Sequence, residues 1–165
     1  MNIIPATSEI SHYKVAQALL SEGVTMVHVL HDREGVVVPE SCSSRIVHLN
    51  FSYRYRIDDF CVDEKGIRAS LSFGGVPQFC DIPWSAVCGI SSQNTDEFFI
   101  WIDAFSPEDL SSFLPPEMLK EFDGLKEMSI FDEYPELRKY ALEDSEDDED
   151  EDDEEPPVYT PLRFV

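Results

Sequence analysis

Basic residues are scarce: 12 Lys and Arg stand against 34 Asp and Glu, a formal charge of −22. A chain so acidic repels phosphate backbones, so nucleic acid is not an expected partner. Long apolar runs are absent, and with them any helical membrane span. The opening residues 1–8 are too few and too polar to form a secretory signal. Cysteine is sparse and scattered, at Cys42, Cys61, Cys80 and Cys88. No two form C-x-x-C, and no histidine stands near them at zinc-ligand spacing. These absences predict a cytosolic chain with free thiols, no metal and no membrane contact.

Catalytic signatures are missing as well. There is no H-E-x-x-H, no G-x-S-x-G, no phosphate-binding G-x-x-x-x-G-K-[ST] and no G-x-G-x-x-G. His28 and His31 are three apart on a predicted strand, which turns them to opposite faces and away from a shared metal. Cys80 and Cys88 lie in apolar strand contexts and read as core residues. No feature argues for an enzyme, so the expectation is a binding protein without catalytic residues or cofactor.

What is present falls into distinct blocks. The spacing predicts a helix over 8–22, capped by Ser8 and ended by Gly23. Ile10, Tyr13, Ala16 and Leu20 lie along one side; Val15, Ala18 and Leu19 widen the apolar surface to a second. One apolar side suffices to dock a helix. The surplus predicts a homodimer through Ile10, Tyr13, Val15 and Leu19. From residue 25 the period changes to two. Strands are predicted over 25–31, 36–38, 45–51, 60–62, 67–73, 79–82, 87–90 and 97–102, with a turn at Asp63-Glu64-Lys65-Gly66 and a single turn at Pro83-Trp84-Ser85-Ala86. Short strands at this spacing behind one helix predict a mainly β fold, a small and partly closed β-barrel.

The pattern changes again after Asp103. Ser106-Pro107 opens a helical turn, 115–127 forms a second helix and 134–142 a weak third. Residues 143–155 hold 12 acids in 13 positions, a composition that predicts a disordered linker. The chain then ends on the apolar, basic tip Pro161-Leu162-Arg163-Phe164-Val165. An apolar tip on a disordered terminus gains nothing unless a partner buries it. As a flexible coil, the 18 residues 143–160 span about 23 Å root-mean-square. The domain division is therefore 1–104 for helix and barrel, 105–142 for short helices, 143–160 for linker and 161–165 for a docking tail.

One interior motif stands out: Phe73-Gly74-Gly75-Val76-Pro77. Glycine within a strand pattern marks a bulge, a corner or close approach of a second backbone, as in peptide recognition. The expected peptide-binding groove runs along 45–51 and 67–77. Its candidate walls are Val47, Leu49, Ala69, Leu71, Phe73 and Val76, with Gly74 and Gly75 letting a cargo backbone approach.

An ordered set of motifs resembles the stringent starvation protein B family, adaptors of the ClpX unfoldase. The set is Gly35-Val36-Val37-Val38-Pro39, then Ile46-Val47-His48-Leu49-Asn50, then Phe73-Gly74-Gly75-Val76-Pro77, then Ile82-Pro83-Trp84-Ser85-Ala86-Val87. The resemblance runs from the N-terminal helix to about Asp103, and Pro161–Val165 is similar to the family's unfoldase-docking tail. It implies a Sm-like (SH3-like) barrel with an N-terminal helix, a homodimer and a bacterial cytoplasmic setting. It also implies binding of ribosome-rescue (ssrA-type) degradation tags and delivery of tagged proteins to the ClpXP protease. The helical segment 106–142 has no clear counterpart in that pattern, and the linker is unusually acidic.

Two other readings compete. Sm-like barrels often bind RNA, for which Arg54-Tyr55-Arg56 is the one aromatic-basic cluster. The acidic run could instead make the chain a mimic or chaperone for basic proteins.

Overall fold

The computed structural model describes residues 2–125 and 129–142. The chain is mainly β. In order it forms β1 (Asn2–Ala6), α1 (His12–Leu20), β2 (Thr25–Leu30), β3 (Ile46–Phe51), β4 (Cys61–Val62), β5 (Gly66–Phe73), β6 (Val76–Pro83), β7 (Val87–Ser92) and β8 (Glu97–Trp101). Four short helices or turns close it: α2 (Pro107–Phe113), α3 (Pro116–Leu125), α4 (Ile130–Glu133) and the 3-10 segment Pro135–Tyr140.

The strands do not close into a barrel. They form a five-stranded sheet in the order β1-β8-β7-β2-β3 and a three-stranded sheet β4-β5-β6. The larger sheet is mixed, because β1 runs parallel to β8 while the other pairs are antiparallel. β1 has no counterpart in the sequence reading: Pro5 and its terminal position gave no strand signal there. The expected strand over 36–38 is reduced to one bridge, with Val37 and Asp81 exchanging backbone hydrogen bonds of 2.9 Å.

Helix α1 is shorter than the predicted 8–22. Ser11, not Ser8, is the cap, its side chain accepting from Lys14 N at 3.1 Å. The chain cannot turn helical earlier, because Ile10 bridges Ala141 and Ser11 N donates to Tyr140 O at 2.8 Å. The helix ends at Ser21 rather than Gly23.

The segment beyond residue 104 is packed into the same core. Leu110, Leu114, Phe122, Ile130, Leu137 and Tyr140 are buried with the strand residues in one apolar cluster. It is pinned by Ser11 N donating to Tyr140 O at 2.8 Å and by Lys14 Nζ donating to Ala141 O at 2.7 Å. Glu9 accepts from Ile130 N at 3.2 Å. This packing absorbs the surplus apolar surface of α1. Ile10, Val15 and Leu19 are at most 1% exposed within a single chain, and Tyr13 is half-buried. The first three side chains are covered within the single chain, where α1 packs against β7, β2 and the 3-10 segment Pro135–Tyr140.

Local turn chemistry follows the sequence. Asp63 Oδ1 accepts from Lys65 N and Gly66 N, closing the predicted turn into β5. Ser106 caps α2 by accepting from Asp109 N. Cys80 and Cys88 are fully buried, and burial pushes their thiols up to about 11 and about 12. All four cysteines are free. Among the described residues, no helix is long and apolar enough to cross a membrane, and no cluster of three His, Cys, Asp or Glu side chains could hold a metal ion.

Candidate functional site

The Phe73–Val76 element is a hairpin turn and not an interruption of one strand. Phe73 pairs with Val76, so Gly74-Gly75 is a two-residue loop joining β5 to β6. Both glycines have positive φ, 61° and 87°, as a type I′ turn requires. A Cβ at either would meet nothing within 4 Å. The glycines are therefore explained by turn geometry and face open space.

The turn sets which backbone groups are free. A two-residue loop makes Phe73 and Val76 a hydrogen-bonded pair, and bonded pairs then alternate along the hairpin. Arg68, Ser70 and Ser72 on β5, and Pro77, Asp81 and Pro83 on β6, turn their peptide groups outward. Three observations agree. The prolines, which lack an N–H, occupy outward positions; Asp81 bonds Val37 on the outer side of β6; and Ser70 N donates to Asp59 Oδ1 at 2.8 Å on the outer side of β5. β4 covers the outer edge of β5 only as far as Arg68. The outward peptide groups of Ser72 are left without a strand partner among the described residues.

β3 presents a second open edge. It ends the five-stranded sheet. His31 N donates to Arg45 O at 3.0 Å, which sets the phase of the β2–β3 ladder. By alternation Val47, Leu49 and Phe51 bond to β2, while Ile46, His48 and Asn50 turn their peptide groups outward.

A groove of about 580 Å³ joins the two edges. It is lined by the consecutive residues His48, Leu49 and Asn50 of β3 and Ser70, Leu71, Ser72 and Phe73 of β5, with Tyr55, Ile57 and Pro77. Consecutive residues on both strands mean that backbone edges as well as side chains form its walls. Tyr55 belongs to the 3-10 turn Tyr53–Tyr55, capped by Ser52, and Arg54 and Arg56 on either side of it are exposed.

The sequence-predicted groove residues divide accordingly. Leu49, Leu71 and Phe73 line the groove. Val47 and Ala69 are core residues, 6% and 0% exposed, and stand outside its lining. Val76 is 56% exposed beside the turn, also outside the lining, as are Gly74 and Gly75. Sequence reasoning missed His48, Asn50, Tyr55, Ile57, Ser70, Ser72 and Pro77. Period-two alternation over 45–51 puts His48 and Asn50 on the face opposite Val47, Leu49 and Phe51, and that was the available signal.

Behind this wall lies a buried polar chain. His48 Nδ1 and His28 Nδ1 are 2.7 Å apart, and His28 Nε2 is 2.9 Å from Ser91 Oγ. His28 stacks on Phe98 with ring centroids 4.7 Å apart. Gly89 makes this possible: a Cβ there would come within 2.9 Å of Phe98 Cε1 and 3.3 Å of His28 Cδ2. Burial, reinforced by the neighbouring His48, lowers His28 to about 4. It is held neutral.

The predicted docking tail Pro161, Leu162, Arg163, Phe164 and Val165, with the linker 143–160, lies outside the described residues. No protein-family model matches the sequence, and comparison with curated proteins finds no match.

Proposed function

We propose that this chain is a peptide-binding adaptor that holds an extended, degradation-tagged polypeptide in the β3–β5 groove and delivers it to a ClpX-type unfoldase of the bacterial cytosol. The supporting observation is the groove itself: apolar walls of Leu49, Ile57, Leu71 and Phe73 lie between two strand edges with outward peptide groups. Such an edge binds an extended backbone by strand addition, while alternate pockets read its side chains. A groove of about 580 Å³ has room for a short peptide segment and not for a folded domain.

The adaptor reading also draws on the ordered motifs shared with the stringent starvation protein B family. Two of them border this groove and a third lies on the same three-stranded sheet. Ile46–Asn50 is β3, Phe73–Pro77 is the turn and the start of β6, and Gly35–Pro39 runs along the outer edge of β6 through Val37. The resemblance implies an Sm-like barrel, whereas the strands here form two open sheets. The apolar tip 161–165 would engage the unfoldase while the groove keeps its cargo, so tethering would raise the local cargo concentration.

The test is a pull-down with a reporter carrying a ribosome-rescue tag and the same reporter without it. Tag-dependent capture is expected, also from a chain cut after Leu142. Capture that ignores the tag, or that disappears with the acidic run, would replace this reading with an acidic chaperone.

A further inference from the structure

Among the described residues, His48 is the groove-lining side chain that is hydrogen-bonded to the buried pair His28 and Ser91. We infer that His48, backed by His28 and Ser91, is a specificity contact of the groove that takes up a proton on binding and selects peptides with a carboxylate at the facing position. The inference rests on the peptide-binding reading of this groove.

The geometry restricts the protons. Two Nδ1 atoms 2.7 Å apart share one hydrogen: one ring donates and the other accepts. The neutral pair has two arrangements. Either His28 donates to His48 and accepts from the Ser91 hydroxyl, or His48 donates to His28, whose Nε2–H then donates to Ser91 Oγ. One further proton fits the second arrangement without moving a heavy atom. It comes from solvent and binds His48 Nε2, which has no hydrogen-bond partner among the described residues. A second would set two Nδ1–H groups against each other. His28 is 6% exposed and His48 is exposed, so solvent reaches the outer ring and not the inner one. The pair thus offers the groove a cation with an N–H donor whose orientation is locked from behind, the arrangement that favours a carboxylate.

The surroundings suit this. From β2, His28 is the titratable group facing His48; β7 contributes Ser91 and β8 contributes Phe98. Across the groove, the lining residues of β5 and β6 are not titratable, and the 3-10 turn brings Tyr55 between the exposed Arg54 and Arg56. The nearby carboxylate of Asp59 is occupied by Ser70 N and Ser70 Oγ, at 2.8 and 2.6 Å.

The experiment uses fluorescein-labelled peptides built on the rescue tag, with Glu and then Gln placed at each position in turn. Binding to the full chain is measured by anisotropy at pH 6.0 and 7.5, which bracket the range where histidine side chains change charge. At one or two adjacent positions, Glu should bind about three- to five-fold more tightly than Gln at pH 6.0, with the preference shrinking at pH 7.5. His48→Gln, an exposed substitution, should bring the ratio of Glu-peptide to Gln-peptide affinity to about one at both pH values. Ser91→Ala should weaken the preference through loss of the anchor. Equal Glu and Gln affinities at every position, or a preference that persists in His48→Gln, would overturn the assignment and leave the groove reading standing. No binding by any peptide would overturn both.

Discussion

His12 and Trp101 stack with ring centroids 4.0 Å apart and planes inclined by 14°, and Trp84 extends the stack at 6.0 Å. His12 Nε2 donates to Val87 O at 3.0 Å, so this nitrogen carries the proton of a neutral ring. Burial lowers His12 to about 4, only partly countered by that bond.

Acid should therefore destabilise the protein through His12 and His28. Both have folded values near 4 against 6.5 unfolded, so the unfolded state binds more protons between these limits. Stability is fully present above pH 6.5, falls as the pH drops toward 4, and gains no further loss from these rings below that. Each can contribute at most about 3 kcal/mol. Urea midpoints across pH 4 to 7.5 should show the slope. His12→Gln should flatten part of it while lowering the midpoint at pH 7.5, because the stack is lost. An unchanged slope would mean that His12 is not held neutral.

Removal of 143–165 should leave the fold intact, whereas removal of 129–165 should not. The longer cut deletes buried Ile130, Leu137 and Tyr140 and the backbone bonds that tie Ile10 and Ser11 to the C-terminal segment. Three such side chains represent about 5 kcal/mol of burial, comparable with a domain's whole stability. Circular dichroism melts would check this. A cooperative melt at the full-length temperature in the shorter chain would show that the C-terminal segment is dispensable.

Strand addition makes a backbone-specific prediction at Ser72. Ser72→Pro removes an outward N–H but no bond of the β5–β6 ladder, so the hairpin should persist while tagged-peptide affinity falls about five- to ten-fold. Ser72→Ala should bind normally, because it retains that N–H. Anisotropy titrations compare the two. Equal affinities would place the cargo on the β3 edge alone or outside the groove.

The tail and the groove should be separable. Without 161–165, tagged-peptide binding should match the full chain, and acceleration of tagged-reporter degradation by ClpXP should vanish. Excess truncated chain should slow degradation by holding cargo that it does not deliver. Degradation assays with both forms decide this; equal acceleration by the truncated chain would remove the tail from the mechanism.

Several of these elements were legible without coordinates. Alternation in 45–51 and 67–73 located β3 and β5, because a strand buried on one face must repeat every second residue. The Asp63 turn and the Ser106 cap were readable because their hydrogen bonds close within three residues. Gly74-Gly75 was legible as a special position, but its role was not: two positive φ angles serve a turn or a bulge equally until the partner strand is known. What covers Ile10, Val15 and Leu19 within the chain was not legible for the same reason, since the elements packed on α1 include β7 and the 3-10 segment Pro135–Tyr140, which lie far along the chain.

Local order in this protein is thus written into periodicity, capping and turn residues, which act over a few positions. The tertiary structure alone decided that the strands form two open sheets, that β1 joins β8 in parallel, and that the edges of β3 and β5 border one groove. It also brought His48, His28 and Ser91 into one chain across three strands. Among them, the His28–His48 bond spans 20 positions and the β1–β8 pairing 95, and loop closure over such distances leaves no periodic mark on the sequence.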